Sequence, residues 1–381
     1  MAGRSSDGST GTMTEAGCCI QPNRLRRLLR RLIDIYSPSG KEEEILAFLH
    51  GYLKRHGLPV IRQPVDEWRY NLVVVPPGAD IRLALMGHLD TVVAYDFDHY
   101  GCEEQGDLVQ GLGAADMKGG CAAIVEAYLT LRRQAGWDVP VALALVVGEE
   151  EDGDGAERLA REFHFPWAVI AEPTDLRPCL SHYGYLEIQL SSRGPRLHAS
   201  LANRRQNPVR SMLSLLLRIS RYLEKERPEA VYNIRDLLST RAGFVVPDWC
   251  EAWIDIHLPP RIPIGDITQH LEEIVSHAQK ENPQLEATLR FTNIHTGYEL
   301  PNRELVIEAL HELYGKKSLP WEPEPFCSHS DANLLWASGV KPILLGPGSL
   351  DKAHAPDESV SFRQVKAAAE LYCDLVRSLV T

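Results

Sequence analysis

The stretch IRLALMGHLDT, residues 81–91, joins a short apolar run to a histidine and an aspartate. An apolar run of this length is typical of a β-strand that is buried on both faces of its sheet. Similar runs recur along the chain and are separated by segments with helical periodicity, which predicts an α/β fold. The predicted strands of this sheet are Tyr70–Val75, Ile81–Met86, Val141–Val147, Trp167–Ala171 and Pro342–Leu345.

The middle of the chain follows a different pattern, typical of an α+β unit. Strands are predicted over residues 183–192, 230–234, 244–257 and 285–291, and helices over residues 207–224 and 264–279. Their β-α-β-β-α-β order is that of a ferredoxin-like fold. We therefore predict a discontinuous α/β domain over residues 23–181 and 293–381, with an α+β domain over residues 182–292 inserted into it.

A helix start is predicted at the segment Ser39-Gly-Lys-Glu42. A serine followed three residues later by a glutamate matches the capping box, in which the two side chains satisfy free amides at a helix N-terminus. The apolar residues at 45, 46, 49 and 53 then share one helix face, and Gly57 ends the helix.

Composition and charge exclude several classes of protein. Of the 381 residues, 44% are hydrophobic and 24% are charged, as in an ordinary globular protein. No apolar run approaches the ~18 residues of a membrane-spanning helix. A net charge of −12 argues against a nucleic-acid or anionic-membrane partner. The basic cluster within residues 26–31 alternates with leucines at helical spacing and is interpreted as a solvated helix face.

Cysteine usage and the first residues bear on the compartment. The eight cysteines are scattered without a CxxC pair, which favours reduced thiols in the cytoplasm over a disulfide framework. Residues 1–22 begin with a tract rich in Gly, Ser and Thr that lacks the apolar core of a signal peptide. We interpret them as a disordered leader.

Five short segments carry the side chains that are candidates for chemistry. In open α/β sheets, ligands bind beyond the carboxyl ends of the strands, where most of these segments are predicted to lie. Taken singly, each has an ordinary interpretation, such as a helix cap for Asp116 or a solvated loop for the acids after Gly148. The segments are Gly87–Thr91 with His88 and Asp90, Gly113–Gly120 with Asp116, Gly148–Gly153 with Glu149 and Glu150, Ala171–Thr174 with Glu172, and Gly346–Glu358 with His354.

Together the segments supply two histidines and several carboxylates, which suggests a metal site. His88 and Asp90 are two residues apart, so in an extended chain they point to the same side, and the carboxylate can accept a hydrogen bond from a metal-bound imidazole. Mixed imidazole and carboxylate ligands suit Zn²⁺, Co²⁺ or Mn²⁺ rather than Ca²⁺ or Mg²⁺ alone. A carboxylate able to bridge predicts two ions, about 3.5–4 Å apart in such sites.

The ordered motifs His88-Leu-Asp90-Thr, Ala115-Asp116-Met-Lys-Gly-Gly, Glu149-Glu150, Ala171-Glu172-Pro-Thr and Gly-Pro-Gly with His354 and Glu358 span most of the chain. This set resembles the M20 family of metallopeptidases and N-acyl-amino-acid deacylases, over residues 23–381. The family includes acetylornithine deacetylase, succinyl-diaminopimelate desuccinylase and glutamate-releasing carboxypeptidases. The resemblance implies a zinc-exopeptidase-like catalytic domain with a mixed sheet, and a ferredoxin-like inserted domain that serves as lid and dimerisation unit.

The resemblance also implies a ligand set for two zinc ions, with cobalt as an alternative metal. Asp116 would bridge the two ions. His88 and Glu172 would complete the ligands of one ion, and Glu150 and His354 those of the other.

Three further residues receive catalytic roles from the same resemblance. Asp90 would orient the imidazole of His88. Glu149 would be the general base, taking a proton from the bridging water and later delivering it to the leaving amine. His198 would stabilise the oxyanion, often in the site of the partner subunit, although a surface histidine is the ordinary interpretation. His329, within Ser328–Asp331, is an extra candidate ligand, but the ligand set is complete without it.

Two positions depart from the pattern with which family members bind a substrate carboxylate. The expected Asn is Phe244 and the expected Arg is His257, which cannot reproduce the bidentate fork of a guanidinium. Three explanations stay open: His257 binds while protonated, another arginine (Arg204, Arg205 or Arg261) substitutes, or the substrate lacks that carboxylate. The acidic loop with Glu151, Asp152 and Asp154 would attract a basic side chain such as that of ornithine or lysine.

We therefore expect a metal-dependent amide hydrolase that deacylates an N-acyl amino acid of the acetylornithine or acetyl-lysine type, by attack of a metal-bridging water. A carboxypeptidase, a dipeptidase or a succinyl-diaminopimelate desuccinylase of the same family is the alternative. A non-hydrolytic metal-binding homologue is the alternative from another class. The protein is expected to be cytoplasmic and homodimeric through its inserted domain, with a small-molecule substrate and no nucleic-acid or membrane partner.

Overall fold

The computed structural model describes residues 19–78, 80–135, 140–202, 207–240, 243–301 and 303–379. The predicted leader up to residue 18, and the candidates Arg204 and Arg205, lie outside these ranges. The helices are α1 (Pro22–Asp34), α2 (Glu43–Arg55), α3 (Gly119–Ala135), α4 (Asp154–Glu162), α5 (Pro208–Glu226), α6 (Ile264–Glu281), α7 (Leu305–Lys316), α8 (Asp331–Ala337) and α9 (Phe362–Ser378). Within the described ranges, no helix combines the length and the hydropathy needed to cross a membrane.

The strands are β1 (Val60–Pro64), β2 (Tyr70–Val74), β3 (Leu83–His88), β4 (Glu103–Gln105), β5 (Leu108–Gln110), β6 (Val141–Val146), β7 (Trp167–Ile170), β8 (Ser181–His182), β9 (Gly184–Arg193), β10 (Leu197–His198), β11 (Val231–Ser239), β12 (Val245–Val246), β13 (Trp249–Leu258), β14 (Glu286–His295), β15 (Tyr298–Glu299), β16 (Pro325–Phe326), β17 (Lys341–Leu344) and β18 (Ser359–Ser361).

A six-stranded mixed sheet forms the centre of the larger unit. Its strand order is β1-β2-β6-β3-β7-β17. Strands β6, β3, β7 and β17 are parallel, while β2 and β1 extend the sheet with antiparallel pairing. Strands β3, β6 and β7 are buried along their whole length, as expected where helices cover a parallel sheet. The predicted α/β fold with a mixed sheet is confirmed.

The inserted unit has a hydrophobic core of its own. Strands β9, β11, β13 and β14 form an antiparallel sheet in the order β11-β13-β9-β14, and helices α5 and α6 pack against it. Leu186 and Ile256 are buried in this core. Because successive side chains of a strand alternate between faces, Glu187 and Asp255 lie on the helix-free face. The predicted ferredoxin-like insertion is confirmed.

Two predicted strands differ from the observed ones in ways that affect the site. The strand predicted at Ile81–Met86 runs over Leu83–His88, so His88 is the last residue of β3 and not the second residue beyond it. The strand predicted over residues 244–257 is split into β12 and β13. Pro247 lies at the interruption, because proline has no amide hydrogen to donate to a sheet ladder.

The predicted capping box at Ser39 and Glu42 is wrong. Glu42 is the N-cap residue of α2, and no side chain accepts a hydrogen bond from the first amides of this helix. The Ser39 hydroxyl instead donates to Asp90 Oδ2 at 2.7 Å. A hydrogen bond to a buried carboxylate is stronger than one from a main-chain amide, so tertiary structure overrides the local pattern.

Candidate metal centre and active site

Six candidate side chains meet at the carboxyl edge of the parallel strands. His88 ends β3, Glu149 and Glu150 follow β6, and Glu172 follows β7. Because these strands are adjacent and parallel, their carboxyl ends lie at the same edge of the sheet. Two loops from the same side complete the set with Asp116, in the kinked turn Ala114–Lys118 before α3, and His354, after the short helical turn Leu350–Lys352.

Asp116 lies between the two histidines. Its Oδ1 atom is 3.2 Å from His88 Nε2, and its Oδ2 atom is 3.6 Å from His354 Nε2. Glu172 Oε1 lies 3.9 Å from His88 Nε2, and Glu150 Oε2 lies 2.9 Å from His354 Nε2. One carboxylate therefore faces two separate imidazole–carboxylate pairs.

Three groups of side chains have donor atoms that all lie within 4.8 Å of one another: His88, Asp116 and Glu172; Asp116, Glu150 and His354; and His88, Glu149 and Glu150. The first two groups share Asp116. The buried Glu172 Oε1 atom accepts no hydrogen bond from the described residues, which leaves it free to bind a cation. Imidazole and carboxylate donors in two overlapping groups fit a pair of divalent transition-metal ions.

The electrostatics of the cluster also favour a bound cation. Burial raises the pKa of Glu149 and of Glu172 well above the usual range, and neighbouring carboxylates raise both further. The hydrogen bond to Glu150 raises the pKa of His354 to about 9. Burial opposes a charge on His88, but the surrounding acids outweigh it and raise the pKa of His88 well above its ordinary value. The pocket thus demands positive charge, which protons or metal ions can supply.

Asp90 holds the site mainly through the main chain. Its Oδ1 atom accepts from the Glu149 amide at 3.2 Å, and its Oδ2 atom accepts from the Glu150 amide at 3.0 Å. His88 Nδ1 lies 3.0 Å from the Asp90 carbonyl oxygen but 3.6 Å from its carboxylate, which is too long for a hydrogen bond. In this structure the Asp90 carbonyl is therefore the nearer partner of His88 Nδ1, and the Asp90 carboxylate holds the Glu149–Glu150 loop.

Glu358 is a supporting residue to which sequence reasoning gave no role. Its buried carboxylate accepts hydrogen bonds from the amides of Gly113, Ala115 and Asp116 at 2.8–2.9 Å. Burial raises the pKa of Glu358 to about 7. These bonds fix the loop that presents Asp116. The only signal in the sequence is an acid shortly after His354, which does not reveal its distant partners.

A cleft of about 790 Å³ separates the cluster from the helix-free face of the inserted sheet. One wall contains Asp116, Glu149, Glu150, Glu172 and His354. The opposite wall comes from the inserted sheet, and of its residues only His257 was singled out from the sequence, because strand alternation alone marks the others. It contains Tyr185, Glu187, Arg235, Trp253, Asp255, His257 and Asn293. Both domains therefore contribute side chains to this cleft.

Some candidate residues lie away from the cluster. His198 is exposed in β10, with Nδ1 2.8 Å from Ser200 Oγ, and is not among the described residues that line the cleft. His329 lines the cleft but stands outside the three donor groups, and burial lowers its pKa well below the ordinary value. Arg261 pairs with Glu299 at 2.7 Å, away from the described lining. Burial also lowers the pKa of His257, which disfavours a protonated His257 as the carboxylate ligand.

The fold and the clustered donors define the class as a metallohydrolase that acts on amide or peptide bonds. A family model described as "Peptidase family M20/M25/M40" matches residues 84–378. The chain belongs to this family, as the motifs predicted.

Individual relatives and solved structures agree. An acetylornithine deacetylase from Klebsiella pneumoniae is 28% identical over 361 residues, covering 88% of this chain and 90% of that protein. A tripeptidase from Staphylococcus aureus has a TM-score of 0.78 at 20% identity, covering 95% of this chain and 99% of that one. A Bacillus subtilis protein described as a dinuclear metal-binding M20 peptidase has a TM-score of 0.69 at 13% identity, covering 94% and 98% of the two chains. The two structural matches show the fold alone.

Proposed function

We propose that the protein is a di-zinc hydrolase that removes the acyl group from an N-acyl amino acid with a basic side chain, of the acetylornithine or acetyl-lysine type. The observation that carries this proposal is the pair of donor groups that share Asp116 and face the interdomain cleft. Similarity to proteins named acetylornithine deacetylase supports the substrate class.

In this proposal, His88 and Glu172 would hold one ion, Glu150 and His354 would hold the second, and Asp116 would contribute to both sites. Bound divalent ions polarise the scissile carbonyl and lower the pKa of water to about 7. The amide of Asp116 donates to Glu358, and the amide of Glu150 donates to Asp90. These hydrogen bonds fix the main chain of two proposed ligands before substrate binds. Cobalt suits the same donor set, so it is the natural substitute for zinc in experiments.

Glu149 is the residue proposed to move the proton. Its Oε2 atom lies 3.7 Å from His88 Nε2, it lines the cleft, and it belongs to neither of the two groups that share Asp116. It is therefore free to accept a proton from the attacking water. The same carboxyl group then delivers that proton to the leaving amine, which a neutral amine requires for departure.

The opposite wall of the cleft supports a cationic substrate. Glu187 and Asp255 lie directly opposite each other on the neighbouring strands β9 and β13. Arg235 is positioned by a bulge in β11 and donates to Asp255 at 3.1 Å and to Glu187 at 2.9 Å. Two carboxylates around one guanidinium leave an excess of negative charge, to which Glu151 on the other wall adds. A substrate ammonium group would find complementary charge there.

A peptidase activity is the second candidate, because Arg235 is a permanent cation in the same cleft. Its side chain is 43% exposed and three of its five N–H groups make no contact with Glu187 or Asp255. This arginine would replace the one missing at His257 in binding a C-terminal carboxylate. Substrates with a second carboxylate, including succinyl-diaminopimelate, would use the same contact.

We also propose a cytoplasmic homodimer formed through the inserted domain. The edge strand β11 and helix α5 expose the apolar side chains Leu217, Val231, Leu237 and Leu238. An open strand edge with apolar neighbours favours pairing with a second copy. His198 would then reach the cleft of the partner subunit. The described cysteines form no disulfide, which suits a reducing compartment.

The test is a substrate panel assayed on metal-free protein reloaded with Zn²⁺ or Co²⁺. The panel contains N-acetylornithine, N-acetyl-lysine, the uncharged N-acetylnorleucine, succinyl-diaminopimelate and dipeptides. We expect the highest kcat/KM for the two cationic acetyl substrates. Preference for dipeptides would favour the peptidase, and metal binding without any turnover would favour a non-hydrolytic protein.

A further inference from the structure

The turn that carries Glu149 and Glu150 is closed by its own main chain. The amides of Asp152 and Gly153 donate to the carbonyl oxygen of Gly148 at 3.1 and 2.7 Å. Gly148 has a φ of +76°, in the left-handed region that favours glycine. The backbone direction at Gly148 therefore decides where the two glutamates point as the chain leaves β6.

An ion pair packs directly against Gly148. A Cβ atom at this position would overlap Asp154 Oδ1 and lie 2.9 Å from Arg69 Nη1. Arg69 donates to both carboxylate oxygens of Asp154, with Nη1 3.2 Å from Oδ1. Its side chain is only 16% exposed. Because a bidentate pair has a fixed planar geometry, the turn cannot move at Gly148 without disturbing it.

Arg69 is itself held on its other side. Its Nε atom donates to Asp66 at 2.6 Å, and Nη1 lies 3.7 Å from Glu42 Oε1. Glu42 is fully buried, and neither carboxylate oxygen accepts a hydrogen bond from another side chain in the described ranges. Arg69 is therefore anchored between three acids, and its removal would leave Glu42 and Asp154 without their cation.

We propose that Arg69 is a positioning residue for the candidate metal centre, fixing Glu149 and Glu150 through Asp154 and Gly148. This inference rests on the proposed function, in which Glu150 binds a metal ion and Glu149 moves the proton. Arg69 belongs to none of the three donor groups and is not among the described residues lining the interdomain cleft. Asp90 accepts hydrogen bonds from the amides of the two glutamates directly. The Arg69–Asp154 pair contacts the same turn at Gly148, where the turn begins.

The experiment compares Arg69→Met with Arg24→Met in the full-length protein. Arg24 is a matched control, because its side chain is also 16% exposed and forms a bidentate pair with the buried Glu126. That pair joins α1 to α3 and lies outside the described cleft lining. For each variant, titration of Co²⁺ into the metal-free protein gives the Kd for the metal. The values of kcat and KM are measured with N-acetylornithine as substrate. Unfolding in urea gives the stability of each variant.

We expect Arg69→Met to weaken the binding of one Co²⁺ ion or lower kcat by about 10- to 100-fold, with KM changed less than about threefold. Arg69→Lys, which keeps the charge without the fork, should recover part of the loss. Gly148→Ala should reproduce it, because the methyl group displaces the ion pair. Arg24→Met should lose stability alone.

A Co²⁺ affinity and kcat in Arg69→Met equal to those of Arg24→Met would overturn the proposal. If Arg69→Met does not fold, Asp154→Asn provides the same comparison, because it keeps the side-chain shape and removes the charge. Wild-type protein that binds two Co²⁺ ions but hydrolyses no substrate would count against the proposed function. In that case the Co²⁺ affinities of the variants alone would test whether Arg69 positions the metal ligands.

Discussion

The two walls of the cleft use acidic side chains in opposite ways. At the edge of the six-stranded sheet, Asp116 and Glu172 are buried beside two histidines. The positive charge that these histidines can carry does not balance the negative charge of the carboxylates. On the inserted sheet, Glu187 and Asp255 are already paired with an arginine. The first wall is built to hold cations that the protein must acquire. The second wall already contains a cation, Arg235, so only part of its negative charge is left for a ligand to balance.

This difference predicts how each wall responds to substitution. Residues of the metal edge are fixed from several sides, as Glu358 shows with three amides bound to one carboxylate. Residues of the inserted sheet extend from strands whose core is on the other face. Changes at the metal edge should therefore abolish the reaction, and changes on the inserted sheet should redirect it.

Asp116→Ala is expected to have the largest effect. Because Asp116 is shared by two donor groups, its loss should remove both ions together, and turnover should fall to the detection limit. Metal content by mass spectrometry and kcat on N-acetylornithine check this, with the exposed Asp96→Ala as control. Retention of two tightly bound ions in Asp116→Ala would show that the two donor groups do not depend on a shared carboxylate.

Glu149→Gln should leave metal content near the wild-type value and lower kcat by about 10²- to 10⁴-fold, the usual contribution of a general base. The amide keeps the shape of the side chain but cannot accept the proton. Metal analysis and kcat are measured together, with Glu157→Gln on the surface of α4 as control. Near-normal kcat in Glu149→Gln would remove this residue from the proton transfer.

The metal edge could be predicted from the sequence because topology does most of the work there. Once β3, β6 and β7 are recognised as adjacent parallel strands, the residues that follow them must meet. On this ground His88, Glu150 and Glu172 were expected to lie together, and their proposed roles as metal ligands came from the resemblance to the M20 family. The supporting bonds could not be predicted, because Glu358 and Arg69 reach partners that are distant along the chain and no local pattern marks them.

The inserted wall illustrates the limit of the same reasoning. The succession of strands and helices along the chain could be predicted from the hydrophobic patterns, but the position of Arg235 depends on a bulge between Ile234 and Asp236 that shifts the register. Such a shift changes which side chain faces the cleft, and the sequence contains no glycine or proline there to announce it. The arginines considered from the sequence therefore did not include Arg235, which lines the cleft.

His198→Ala tests whether the inserted domain contributes to chemistry as well as to binding. If His198 stabilises the oxyanion, its loss should lower kcat by about 10²- to 10³-fold without changing metal content. Mixing this variant with the Glu149→Gln variant shows whether His198 acts in the cleft of its own subunit or in that of the partner. Activity recovered in mixed dimers means that each histidine serves the partner's cleft. No recovery, with a monomer in solution, would contradict both the dimer and the action of His198 in the partner's cleft, and an unchanged kcat in His198→Ala would contradict its role in the chemistry.

Glu187→Gln should produce the smallest and most selective effect. Removing one carboxylate leaves Arg235 and Asp255 as a neutral pair, so the cleft loses its excess negative charge on that wall. We expect kcat/KM for N-acetylornithine to fall about tenfold, since a charge-assisted hydrogen bond contributes about 1.5 kcal/mol or more. The value for N-acetylnorleucine should stay unchanged.

Glu251→Gln, in the same sheet but outside the described lining of the cleft, is the matched control. An equal loss on both substrates would mean that Glu187 supports the fold of the wall, and a gain on succinyl-diaminopimelate would mean that Arg235 binds carboxylates once its partner is removed.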